Sequence, residues 1–126
     1  VISGNLVYVS GQVPVVDGEV RFKGKVGDDV DVATAAQAAR ACAMNLIAQV
    51  KAACDGDLDR VTRVVRLGGF VNATADFTEQ PQVINGASDL LVDVFGDAGR
   101  HARFAVGAGS LPLGVSVEID AVFEIS

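Results

Sequence analysis

The chain has 126 residues, half of them hydrophobic, and a formal net charge of −6 from 10 basic and 16 acidic residues. That length is one domain over residues 1–126 with ample apolar material for a core, and the acidic balance repels phosphate backbones, which argues against nucleic acid as a partner. No apolar run reaches the roughly 18 residues of a membrane span and the start lacks the basic-then-apolar form of a signal peptide, so no membrane attachment and a cytoplasmic location are expected. The chain begins at Val1 rather than Met, so a short N-terminal segment is expected to precede it.

Residues 6–10 are β-rich, and Gly11-Gln12-Val13-Pro14 ends that strand because Pro14 cannot donate to a ladder. Asp17-Gly18 marks a tight turn, and residues 20–22 read as a brief second strand. Residues 24–29 form a polar loop with no phosphate-cradle spacing. Asp31 is a good N-cap for a helix over residues 32–54, in which Ala39, Cys42, Ala43, Leu46, Val50 and Ala53 recur at three- and four-residue intervals. Its many alanines permit close approach to a sheet or a neighbouring subunit. Asn45 interrupts it and reads as a polar side chain bonded to nearby backbone. Gly56 is available for a left-handed cap. Cys42 and Cys54 lie 12 residues apart on this helix, too far for a disulfide, and read as reduced core or interface residues.

Residues 61–72 alternate Val61, Arg63, Val65, Leu67 and Gly69 with Thr62, Val64, Arg66, Gly68 and Phe70, the pattern of a long, largely buried strand. Gly68-Gly69 marks a bulge or a close backbone contact. Pro81 suits the first turn of a second helix ending near Phe95 with Gly96 as its stop, and Val83, Ala87, Leu90, Leu91 and Val94 are its expected inner face. Two strands joined by a Gly/Pro-containing connection complete the chain. The order ββαβαββ implies an α+β fold: a single mixed β-sheet with two α-helices packed on one face. The other face then carries apolar and small residues with no helix over them, so an oligomer is expected.

The last two strands hold the chain's clearest chemical pair. Alternation places His101, Arg103 and Ala105 on one face of the first, and Ser116, Glu118 and Asp120 together on the second. If these strands pair or pack near each other, Arg103 and Glu118 line one pocket. A guanidinium holds a carboxylate bidentately and a neighbouring Glu can activate water, which suits hydrolysis of a small carboxylate-bearing substrate. The residues themselves leave an alternative for each: a structural ion pair for Arg103, a solvent-facing strand carboxylate for Glu118, a capping or surface histidine rather than a proton carrier for His101. One His and two distant Cys cannot supply a tetrahedral set, so no metal is expected.

Arg103 is followed eight and nine residues later by Leu111-Pro112, then by the run from Val115 to Ala121 with Val117-Glu118-Ile119-Asp120 inside it; the other end carries Gly4-Asn5-Leu6-Val7-Tyr8-Val9-Ser10-Gly11-Gln12-Val13-Pro14. Together these resemble the two signatures of the YjgF/RidA family, the reactive intermediate deaminases or endoribonuclease L-PSP-like proteins, over nearly the whole chain. The resemblance implies a chorismate mutase-like fold and a homotrimer with a cleft between each pair of subunits. It also implies a cofactor-free enamine/imine deaminase that hydrolyses small 2-imino acids to 2-oxo acids and ammonia. On that resemblance Arg103 matches the substrate-carboxylate arginine and Glu118 the glutamate that positions water. Ser10 and Asn85 match cleft positions, the alternatives being a strand-end serine bonded to backbone and an ordinary exposed helix asparagine; Gly11, in the same turn as Ser10, brings backbone groups close to a ligand, and Ala105 contributes backbone where many members carry Cys. His101 is not usual in the best-known branch and points to a divergent subgroup. The alternative is a non-catalytic trimeric small-carboxylate-binding or regulatory protein. Endoribonuclease activity, a label some relatives carry, is disfavoured by the acidic charge and the absence of a basic aromatic stripe.

Overall fold

Alternation runs unbroken through one strand: every second residue from Val117 to Ile125 is buried in β7 (Val117–Ile125), and that strand lies at the middle of the sheet. The computed structural model describes residues 1–126, in which β1 (Ile2–Ser3), β2 (Leu6–Gln12), β5 (Val61–Asn72) and β6 (Ala102–Ala108) join β7 in the order β1-β2-β7-β5-β6. The short strands β3 (Val15–Val16) and β4 (Glu19–Val20) form a separate ladder. Their loop is Asp17-Gly18 with φ of 53° and 77°, the pair of positive values that a tight I′ hairpin turn needs. The brief strand expected at residues 20–22 is therefore displaced toward the turn, and Phe22, at φ 57°, lies outside it.

The last two strands do not pair with each other. β6 runs parallel to β5 at the sheet edge, while β7 lies between β2 and β5, antiparallel to both. The helix between β5 and β6 carries the chain back to the starting end of β5, so a parallel neighbour is the only short solution, and β7 then fills the interior gap. Within β5 the register shifts twice, between Val61/Arg63 and Val64/Arg66. These irregularities break the expected alternation: Val61, Val64 and Leu67 are buried at three-residue spacing, whereas Arg63 and Val65 are exposed.

The two helices, α1 (Val32–Ala53) and α2 (Gln80–Phe95), cover one face. Asp31 caps α1 by accepting from the Thr34 N–H at 2.7 Å, and bonds to the Thr34 side chain and backbone hold the Asp31 carboxyl below its usual range. Asp55 and Gly56 close α1 at positive φ, with the Gly56 N–H reaching back to the Lys51 carbonyl at 2.9 Å. Asn45 does bond backbone, but at a distance: its amide donates to the Val13 and Val15 carbonyls at 3.0 and 3.1 Å and ties the β2–β3 connection to the helix. Both cysteines are buried and free. The inner face of α2 is Val83, Ile84, Ala87, Leu90 and Leu91. Val94 is 47% exposed; Phe95 faces inward in its place, its ring 6.4 Å from that of Phe123. The opposite face of the sheet carries Tyr8, Val65 and Val106 in the open and an edge-to-face pair, Phe70 and Phe104, at 5.3 Å. No helix is long and apolar enough to cross a membrane.

Candidate functional site

Arg103 lies opposite Leu67 in the β5–β6 register and therefore on the helix-covered side of the sheet. Because β6 is the edge strand, the inward row His101, Arg103 and Ala105 reaches the rim and stays half-buried instead of entering the core. The guanidinium lies along α2: Nη1 donates to Ser88 Oγ at 3.0 Å and Nη2 to the Pro81 carbonyl at 3.4 Å. Pro81, Asn85 and Ser88 follow one another at four- and three-residue spacing, so exposed Asn85 lies on the same stripe of the helix as the two groups that hold the arginine. Behind Ser88, His101 Nε2 is 2.9 Å from the hydroxyl, and His101 Nδ1 is 2.6 Å from the Gly99 carbonyl. Arg103 takes part in none of the chain's four salt bridges. It is a cation held in place by neutral acceptors.

Glu118 lies opposite Phe70 on the uncovered face. With Gly11, Phe70 and Asp120 it lines a hollow of about 190 Å³. Gly11 allows the carboxylate to lie against the β2 backbone, since a Cβ there would stand 2.9 Å from Glu118 Oε1. Next to it a groove of about 490 Å³ runs past Tyr8, Ser10, Val65, Arg66 and Val122. Asp120 pairs with Arg66 at 3.6 Å, and Arg66 lies 5.0 Å over the Phe104 ring. Glu118, by contrast, has no cation or hydrogen-bond donor within the chain. Burial, with the Glu118 charge adding to it, pushes the Cys42 thiol far up, so this cysteine is an inert core group whose Sγ contacts the Val117 carbonyl at 3.6 Å.

The site residues read from the sequence thus fall into two separate sets. Arg103, His101, Ala105 and Asn85 gather at the rim where β6 meets α2; Ser10, Gly11 and Glu118 gather on the opposite face. Arg103 and Glu118 are divided by strand β5 and by the thickness of the sheet, so the expectation that they line one pocket within a chain is overturned, because the strands that carry them are not neighbours. Ser88 was not singled out by the sequence. Its only signal is its place one turn beyond Asn85. The largest cavity, about 620 Å³, is elsewhere, at the carboxyl ends of β5 and β6 beside Lys25, Phe77, Gln80 and Gly107. Lys25 Nζ is already engaged there by Asn72 Oδ1 at 2.8 Å and the Gly109 and Ala73 carbonyls at 2.6 and 3.5 Å. No three His, Cys, Asp or Glu side chains gather as a metal-holding group.

A family model described as "YjgF/chorismate mutase-like, putative endoribonuclease" matches residues 1–124. Protein TCP17 of Trypanosoma cruzi is 50% identical over 127 residues, covering 100% of this chain and 79% of its own. The crystal structure of Atu1372 from Agrobacterium tumefaciens, a protein of unknown function, is 57% identical and superposes with a TM-score of 0.99 over 100% of this chain and 79% of that one. That of a "putative endoribonuclease" from Shewanella oneidensis MR-1 is 36% identical, with a TM-score of 0.95 over 99% of this chain and 82% of that one.

Proposed function

The chain belongs to the YjgF/chorismate mutase-like family, and from that premise we propose that it is a cofactor-free enamine/imine deaminase working at clefts between the subunits of a homotrimer. The observation that carries this reading is the division of the site: an arginine without a carboxylate on one flank and a glutamate without a cation on the other face. Each half lacks what the other holds, and a neighbouring copy that lays its uncovered face against the β6–α2 rim supplies it. That packing also covers Tyr8, Val65, Phe70 and Val106, which no helix of the chain covers.

In such a cleft Arg103 clamps the carboxylate of a small 2-imino acid through its free N–H groups, with Asn85 and the backbone near Ala105 beside it. Glu118 of the partner subunit, lying against Gly11 and near Ser10, presents a water to the C=N carbon and takes its proton. The resulting carbinolamine expels ammonia, which leaves a 2-oxo acid. The decisive assay adds the purified protein while an amino-acid oxidase generates imines and follows ammonia release. Acceleration over the uncatalysed rate is expected. The second reading, a carboxylate-binding protein without catalysis, is favoured by Ala105 in the position where the family often carries Cys. An assembled protein that binds 2-oxo acids yet leaves imine decay unchanged would establish it.

A further inference from the structure

Arg103, Ser88 and His101 form a continuous line of hydrogen bonds. The Gly99 carbonyl can only accept, so Nδ1 carries a proton, and in the neutral form of the ring Nε2 is then the acceptor. In that form the Ser88 hydroxyl donates to Nε2, while its oxygen accepts from Arg103 Nη1. The only proton of Ser88 is spent on His101. The imidazole stands one hydroxyl away from the guanidinium.

The charges around His101 come from every element packed near it. Strand β6, which begins at the next residue, brings Arg103. Strand β5 brings Arg63, whose Nη1 donates to the Arg100 carbonyl at 3.3 Å, and the turn before β6 brings Arg100, paired with Asp97 at 3.3 Å. On α2 the titratable groups are Asp89 and Asp93, both exposed. The cation that reaches His101 through a hydrogen bond is Arg103. An anion docked on Arg103 cancels that charge and so removes the repulsion that disfavours a positive imidazole. Once Nε2 carries a proton it must donate, and Ser88 then accepts from both neighbours. Its own O–H is released to point toward the bound anion, adding one more donor to the clamp.

We propose that carboxylate binding at Arg103 is coupled to uptake of a proton from solvent by His101, relayed through the Ser88 hydroxyl. The inference rests on the reading of Arg103 as a carboxylate clamp and adds Ser88 and His101 to it as positioning residues. The coupling suits the proposed reaction, which consumes one proton overall: an imino acid anion, water and a proton give a 2-oxo acid anion and ammonium.

The probe is 2-oxobutyrate, titrated calorimetrically into the intact protein near neutral pH in buffers of different ionisation enthalpy. The expected result is a fractional proton taken up per ligand bound, absent in His101→Gln and reduced in Ser88→Ala, with both variants still binding. His101 is the chain's only histidine, so its ring NMR signals report on this group alone and should move toward the imidazolium positions as ligand is added to the wild type. That readout decides the matter even if a variant fails to fold. Binding that Arg103→Lys weakens, but that takes up no proton in the wild type, overturns the coupling and leaves the clamp standing. Uptake undiminished in Ser88→Ala overturns the relay. No binding of 2-oxobutyrate removes the clamp and the coupling together.

Discussion

Arg103 uses two of its five N–H donors on Ser88 and Pro81, which leaves three without a partner in the chain. A lysine there keeps the charge but loses the planar fork, and no carboxylate of the chain depends on it for compensation. We therefore expect Arg103→Lys to weaken 2-oxobutyrate binding at least about tenfold, roughly 1.4 kcal/mol, and Arg103→Ala to weaken it further, with little change in folding stability because the residue is half-buried at an edge. Calorimetric titration measures the first and urea denaturation the second. Unchanged affinity in the lysine variant, or unfolding instead of a binding defect, would make Arg103 a structural residue.

Between elements, α1 and α2 pack closely at one point. Gly86 faces Ala36 so tightly that a Cβ at Gly86 would collide with the Ala36 carbonyl oxygen. On an exposed helix, replacing Gly by Ala gains about 1 kcal/mol from propensity alone. Here backbone meets the new methyl and cannot swing aside, so Gly86→Ala should lose about 1–3 kcal/mol, read as a lower urea midpoint at unchanged m. A rise in stability would mean that the helices have room to spare. The same contact gives a physical reason for the alanine-rich α1: Ala35, Ala38, Ala39, Ala41 and Ala43 are all buried, and larger side chains would hold α2 away from the sheet and from Arg103.

For the whole molecule, the divided site makes a prediction that a one-chain site does not. Light scattering should give about three times the 13.0 kDa chain mass. If each cleft takes Arg103 from one subunit and Glu118 from the next, then Arg103→Ala and Glu118→Ala chains, each inactive alone, should complement each other when unfolded and refolded together. Random trimers of equal parts place both native residues in roughly a quarter of the clefts, so roughly a quarter of wild-type activity should return. Mixed assemblies that stay inactive would place the two residues in separate roles.

The two helices and their ends are legible in the sequence, because caps, stops and a 3.6-residue apolar period are local. Asp31, Gly56, Pro81 and Gly96 mark those boundaries within three residues. Also legible there are the residues that share a face of β6 and of β7, since alternation needs no knowledge of the neighbours, and the end motifs identify the family. Which strands are neighbours is a matter of long-range packing. That choice turns on a parallel β5–α2–β6 crossover and on two register shifts in β5, and both depend on contacts distant in sequence. It follows that only the fold could separate Arg103 from Glu118 and bring Ser88 from α2 to the arginine of β6. A side chain's partner across an element boundary is settled by packing, and no local pattern records it.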